Sequence, residues 1–121
     1  MGKPRFRPSS LFTNPRDFGR NTHPTWSKTC DLTETDRAWA WYQHRVALEV
    51  QHALAHRGLK IRDLAKQLDK DEVWLQRKLF GHVPADLGEI LSLAVACGVE
   101  VLPVIDSVDD LVRFPQTPMY S

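Results

Sequence analysis

The sequence has little cysteine, no long apolar run and no apparent targeting segment. Its two cysteines, Cys30 and Cys97, lie far apart in the chain, and in a reducing compartment such residues are free thiols rather than a disulfide framework. No stretch reaches the roughly 18 apolar residues that a membrane-spanning helix needs. The basic residues near the N-terminus are not followed by the apolar segment of a secretory signal. We therefore expect a cytoplasmic protein that does not enter a membrane.

The chain also lacks the short motifs that mark common catalytic sites. It contains no G-x-S-x-G element, no phosphate-binding glycine loop, no H-E-x-x-H and no closely spaced cysteine pair. His52 and His56 have the i, i+4 spacing that can chelate zinc, and His44 falls near them on a helical wheel. No Cys, Asp or Glu cluster completes a site nearby, so surface histidines are the simpler interpretation. We expect no enzyme activity, no metal and no cofactor.

Positive charge is unevenly distributed along the chain, although the formal net charge is only +1. Residues 1–28 carry six Lys/Arg against one acid, residues 36–82 carry nine against six, and residues 83–121 carry one against six. Phosphate contacts need local rather than global positive potential. The first two segments can therefore face a nucleic acid, and the last should face away from it.

The first 32 residues predict an extended, basic, proline-containing arm, because prolines and Gly19 break any regular period there. Scattered aromatic and leucine side chains are too many for a pure linker, so part of the arm should pack on the domain or on a second subunit. Basic arms also enter A·T-rich minor grooves. The candidates for such a contact are Lys3, Arg5 and Arg7, and the alternative is a solvated, flexible terminus.

Residues 33–113 predict one domain, a compact all-α bundle of four or five helices, followed by a flexible tail over 114–121. Thr33 or Thr35 is a suitable N-cap for a long first helix. That helix should run over about 36–57, where apolar residues recur at steps of three and four.

Residues 58–81 predict two short helices joined by a tight turn, with Asp71 as the N-cap of the second. A further helix is expected over about 85–96 and should end at Gly98. Its predicted buried stripe is Leu87, Ile90, Leu91 and Ala94. The chain then continues either as an extended segment or as a loop into a last short helix over about 106–113.

The most specific stretch of the sequence is the run Trp74-Leu75-Gln76-Arg77-Lys78-Leu79-Phe80-Gly81. Upstream of it stand Arg57-Gly58-Leu59, Leu64-Ala65 and Leu68. Together, residues 45–105 resemble the lambda-repressor-like, or Cro-like (XRE), helix-turn-helix family, in forms common among actinobacterial and actinophage members. The resemblance implies a homodimer that binds paired half-sites on double-stranded DNA as a repressor-like, nucleoid-associated transcription regulator.

Two features depart from that family. Ile61 stands where a glutamine that contacts phosphate is usual, and Asp69-Lys70 replace a glycine and an apolar residue at the turn. Asp adopts the left-handed conformation more readily than most residues other than glycine, so the turn is still expected.

A recognition helix over about 72–80 is predicted to enter the major groove. Leu75 and Leu79 should point inward, and helical spacing then exposes the candidate base contacts Glu72, Val73, Gln76, Arg77 and Phe80. Gln76 is suited to adenine and Arg77 to guanine. The candidate phosphate contacts are Lys60, Arg62, Lys70, Lys78 and His82, of which the last is alternatively a helix cap.

The alternative function is a protein-interaction module on the same fold, without direct DNA binding. Its contact surface for a protein partner would be formed by Trp39, Trp41 and Trp74.

Overall fold

The computed structural model describes residues 6–29 and 32–99. Four α-helices make up most of it: α1 Glu34–Arg57, α2 Ile61–Gln67, α3 Glu72–Leu79 and α4 Leu87–Cys97. Two short 3-10 helices, Pro8–Leu11 and Pro15–Asp17, precede them, and the described residues contain no strand. The all-α expectation is confirmed. The candidate contacts Lys3 and Arg5, the expected helix over 106–113 and the tail lie outside the described residues.

The long helix α1 begins two residues earlier than expected, at Glu34, and ends as predicted at Arg57. The hydroxyl of Thr33 accepts a hydrogen bond from the Asp36 amide at 3.1 Å, so Thr33 rather than Thr35 is the N-cap. Gly58 closes the helix in the left-handed conformation, with φ of 68°. Helix α4 ends in the same way at Gly98, and it begins two residues later than expected, at Leu87 after the N-cap Asp86.

Helices α2 and α3 are joined by a tight turn centred on Asp69. Its φ of 55° makes it the one non-glycine residue with left-handed backbone in the described part of the chain, as the sequence suggested for this position. The amide of Lys70 donates to the Ala65 carbonyl at 2.9 Å and closes the turn. Asp71 then caps α3 by accepting a hydrogen bond from the Trp74 amide at 3.3 Å.

The main core lies between α1 and the three helices that follow it. Its buried members include Val46, Val50, Leu54, Leu64, Leu75, Leu79, Ile90, Leu93 and Cys97. The predicted stripe of α4 is partly wrong, because Leu87 and Leu91 are exposed while Ile90, Leu93, Ala94 and Cys97 face inward. Those four residues also recur at steps of three and four, so α4 is rotated relative to the expected orientation.

The N-terminal segment, residues 6–29, is folded onto the helices rather than extended away from them. Leu11, Phe12 and Phe18 are almost completely buried. The Ser9 amide donates to the Gly81 carbonyl at 2.9 Å, just after α3. The expectation that part of the arm packs on the domain is confirmed, because its apolar anchors pack on α1 and beside the end of α3. The expectation that residues 6–29 are extended is wrong.

His44, expected at the surface, is fully buried among aromatic rings of the N-terminal segment and α1. Its ring centroid lies 4.7 Å from that of Phe12 and 5.3 Å from that of Phe18. Its Nδ1 accepts a hydrogen bond from the Gly19 amide at 2.9 Å, so protonation of Nδ1 would remove this acceptor. Burial, reinforced by the nearby charge of Arg45, lowers the pKa of His44 from 6.5 to about 3.

This buried imidazole predicts that the folded protein loses stability as the pH falls. The unfolded chain protonates His44 near pH 6.5 whereas the folded chain does not until about pH 3, so the unfolded state binds more protons in that window. The free energy of unfolding should fall by about 2 kcal/mol between pH 7.5 and 5. Urea unfolding at several pH values measures this, and His44→Gln should flatten the dependence. The exposed His52 on the same helix is the control, and an equal effect of His52→Gln would contradict the assignment.

A pair of glycines tests the docking of the N-terminal segment. Gly58 and Gly81 have similar φ values of 68° and 72°. An added Cβ would meet nothing within 4 Å at Gly58, but would lie 2.7 Å from ring carbons of Phe18 at Gly81. Gly58→Ala should cost about 1 kcal/mol of unfolding free energy for the left-handed backbone. Gly81→Ala should cost about 3 kcal/mol, since the ring must also move. Equal costs in chemical denaturation would show that Phe18 does not pack against this turn.

Candidate nucleic-acid interface

The outward face of α3 carries the predicted base-contacting side chains. Leu75 and Leu79 are buried, as expected. Glu72, Val73 and Arg77 are exposed on the opposite side, and Gln76 and Phe80 are half-buried beside them. The helix therefore presents polar and apolar side chains together on one face along its length.

Glu72 and Gln76 interact along this face. The Gln76 Nε2 donates a hydrogen bond to the Glu72 Oε2 at 3.2 Å, across one helical turn. A primary amide has two N–H donors and one carbonyl acceptor. The pair therefore leaves one donor and the carbonyl of Gln76 for an external partner, while the carboxylate restricts the orientation of the amide.

Four of the five predicted phosphate contacts are exposed. Lys60 and Arg62 are exposed at the start of α2, and Lys70 is exposed in the turn before α3. His82 is exposed in the loop after α3, where its amide donates to the Arg77 carbonyl at 3.0 Å. These cations flank α3 along the sequence on both sides.

Lys78, the fifth predicted phosphate contact, is buried and is not available to phosphate in this structure. Only 7% of it is exposed. Its Nζ donates to the Glu89 Oε1 and to the Pro84 carbonyl, both at 2.9 Å. Lys78 follows the buried Leu75 by three residues, so it borders the buried face of α3, and its ammonium reaches Glu89 of α4 instead of solvent.

The loop between α3 and α4 is fixed by a buried glutamine that the sequence did not single out. The Gln43 Nε2 donates to the carbonyls of Lys78 and Val83 at 2.8 and 3.2 Å. Its Oε1 accepts from the Ala85 amide at 2.9 Å. Gln43 lies one helical turn after Trp39 and one before Val46, so a polar residue within the apolar stripe of α1 was the available signal.

Two of the three tryptophans predicted to contact a protein partner make contacts within the chain. The Trp39 Nε1 donates to the Ala85 carbonyl at 2.6 Å. Trp41 packs on Trp26 of the N-terminal segment, with ring centroids 5.0 Å apart. Both side chains are half-buried and already make these internal contacts. A joint contact surface of Trp39, Trp41 and Trp74 for a protein partner stays a prediction.

Trp74 borders an open pocket beside α3. The pocket has a volume of about 360 Å³ and is lined by Asp71, Val73, Trp74, Arg77, Lys78 and Val83. The ammonium of Lys70 lies 5.2 Å from the Trp74 ring centroid, within the range of a cation–π interaction. The lining therefore combines apolar side chains with both basic and acidic ones.

The N-terminal segment adds cations next to the end of α3. The guanidinium carbon of Arg20 lies 3.9 Å from the centre of the Phe80 ring. The ring is therefore covered on one face, which limits the predicted base contact by Phe80. Arg7 is exposed and precedes the first 3-10 helix, close in sequence to the Ser9 amide that bonds Gly81.

No protein-family model matches the chain, and no significant match was found among curated proteins or solved structures. No helix within residues 6–29 and 32–99 is both long and apolar enough to cross a membrane. In the same part of the chain, no three histidine, cysteine or acidic side chains come together in a way that would hold a metal ion.

Alanine substitution tests whether the buried Lys78 contributes more to stability than the exposed Lys70. Lys78→Ala should lower the free energy of unfolding by about 2 kcal/mol, because it removes one partner of a largely buried charged hydrogen bond. Lys70→Ala, which removes an exposed ammonium from the neighbouring turn, should change it by less than about 0.5 kcal/mol. Thermal and urea unfolding of both variants measures this, and equal small effects would show that the Lys78–Glu89 pair contributes nothing.

Proposed function

We propose that the protein is a sequence-specific double-stranded DNA-binding transcription regulator of the helix-turn-helix type. In this proposal α2 and α3 are the paired helices, α3 enters the major groove, and a homodimer occupies paired half-sites. The observation that carries it is the outward face of α3, on which Gln76 and Arg77 stand next to each other while Leu75 and Leu79 anchor the helix.

The chemistry of this face fits the edges of base pairs. Arg77 offers a planar fork of donors that matches the O6 and N7 acceptors of guanine. Gln76, restrained by Glu72 at 3.2 Å, keeps the donor and acceptor that match N7 and N6 of adenine. Val73, 52% exposed, is suited to a thymine methyl group. With eight residues, α3 spans about 12 Å and reads only a few base pairs.

Exposed basic side chains before and after α3 in the sequence are suited to contact the phosphate backbone of DNA. Lys60, Arg62 and Lys70 precede α3 on the exposed surface, and His82 follows it. The helix is also held firmly, since Asp71 caps its start and Gln43 binds the carbonyl of Lys78 near its end. A surface that is ordered before binding loses less conformational entropy when the complex forms.

A second candidate function is binding of a protein partner through the pocket beside Trp74. The exposed Val73 and the apolar walls of Trp74 and Val83 favour it. In that case an apolar side chain of the partner fills the pocket, and affinity depends only weakly on salt. DNA binding predicts the opposite, because released counterions make affinity fall steeply with salt.

Selection of bound sites from randomised DNA, followed by mass measurement of the complex, tests the proposal. A shared sequence with two symmetric half-sites is expected, and their separation reports the dimer geometry. Failure to retain any DNA at low salt would reject the proposal, and binding of an apolar peptide lost on Val73→Asp would then support the pocket instead.

Arg77 provides the sharpest variant for this function. Arg77→Ala should weaken binding to the selected site by about 1–3 kcal/mol through loss of the guanine contact. Its effect on random DNA should be much smaller, so the ratio of the two affinities should fall. Arg77→Lys keeps the charge but not the fork and should resemble alanine in specificity. Fluorescence anisotropy on both DNAs measures this, and an equal loss on both would assign Arg77 to phosphate instead.

A further inference from the structure

Arg20 lies in the N-terminal segment, yet its guanidinium rests on a side chain of α3. The guanidinium carbon is 3.9 Å from the centre of the Phe80 ring. Phe80 follows Gln76 by four residues and Arg77 by three, so it continues their face by one turn. Arg20 therefore places a cation at the C-terminal end of the candidate reading face, although it lies far from α3 in sequence.

The position of Arg20 is fixed by several contacts. The neighbouring Gly19 donates its amide to the buried His44 Nδ1 at 2.9 Å. The Arg20 amide donates to the Asp17 carbonyl at 3.0 Å. One terminal nitrogen of its guanidinium donates to the Arg16 carbonyl at 3.1 Å. Backbone and side chain are thus both held, and little rotamer freedom is left to lose on binding.

The guanidinium of Arg20 still has N–H donors that can bind a ligand. Arginine has five N–H donors in one plane, and stacking on a ring leaves that plane open at its edges. Within residues 6–29 and 32–99, the ion pairs are Arg45–Glu49 and Lys78–Glu89. The charge of the exposed Arg20 is therefore not neutralised by a carboxylate of the described chain.

We propose that Arg20 binds a phosphate of the DNA backbone beside the base pairs that α3 contacts. This inference rests on the proposed function. It makes the folded N-terminal segment part of the interface, and it assigns Phe80 the role of positioning Arg20 rather than contacting a base. Phosphate is the appropriate ligand because a planar fork of donors binds its oxygens in pairs, and because the cation lies at the edge of the face.

The experiment measures the salt dependence of DNA affinity for the full-length protein and three variants. Arg20→Ala should weaken binding about three- to tenfold, to the selected site and to random DNA alike, because a phosphate contact carries no sequence information. The slope of log affinity against log salt should fall by about 0.9, the value for one phosphate. Phe80→Leu keeps the charge but removes the ring, and it should give a smaller loss of affinity.

Lys28→Ala is the matched control, since it removes one exposed cation from the same segment without touching Phe80. It should retain the wild-type slope. Unchanged thermal unfolding of Arg20→Ala shows that the segment stays docked.

The outcomes separate the two proposals. If the wild-type protein binds DNA and Arg20→Ala behaves like Lys28→Ala, the Arg20 inference is wrong and the proposed function stands. If Arg20→Ala changes sequence preference without changing the salt slope, Arg20 contacts a base instead. If the wild-type protein does not bind DNA at low salt, both proposals fall.

Discussion

The arrangement of α3 depends on the hydrogen bonds that the side-chain amide of Gln43 makes. This single buried side chain bonds the carbonyls of Lys78 and Val83 and the amide of Ala85. Those backbone groups lie at and beyond the end of α3, where no regular helix satisfies them. An apolar residue at position 43 would leave them without their side-chain partner, at a cost of about 1–3 kcal/mol for each group that stays buried. The polar residue inside the core is therefore what allows the loop to pass next to α1.

Other contacts hold the same loop from different directions. Trp39 donates to the Ala85 carbonyl from α1, and Lys78 joins the Pro84 carbonyl to Glu89 of α4. The Ser9 amide bonds the Gly81 carbonyl from the N-terminal segment. Because several elements restrain one loop, the end of α3 cannot shift without breaking bonds to α1, α4 and the segment together. The outward face of α3 is accordingly a fixed surface, which is what a helix that reads base edges requires.

The residues that local rules predict are those whose partners are close in sequence. Thr33, Asp71, Gly58 and Gly98 act within one helical turn, so their roles followed from residue type and position alone. Lys78, His44 and Gln43 find partners that are 6 to 42 residues away. A helical wheel places such residues near the core edge, but it cannot show which distant carbonyl or amide meets them. For this reason sequence rules predict a phosphate contact for Lys78 and a surface position for His44, although both are buried, whereas they predict α1, α3 and α4 to within about two residues at each end.

The folding of the N-terminal segment changes how its charge can act. A free basic arm loses backbone and side-chain entropy when it enters a groove, whereas Arg20 is already held on Phe80 by contacts within the chain. The same packing links this cation to stability, because Phe18 fills the space beside Gly81 and Gly19 passes close to the Leu79 carbonyl. Displacement of the segment would therefore remove Arg20 from the end of α3 and uncover the core beneath it. In the proposed function, affinity for DNA and docking of the segment are for this reason one coupled property, not two independent ones.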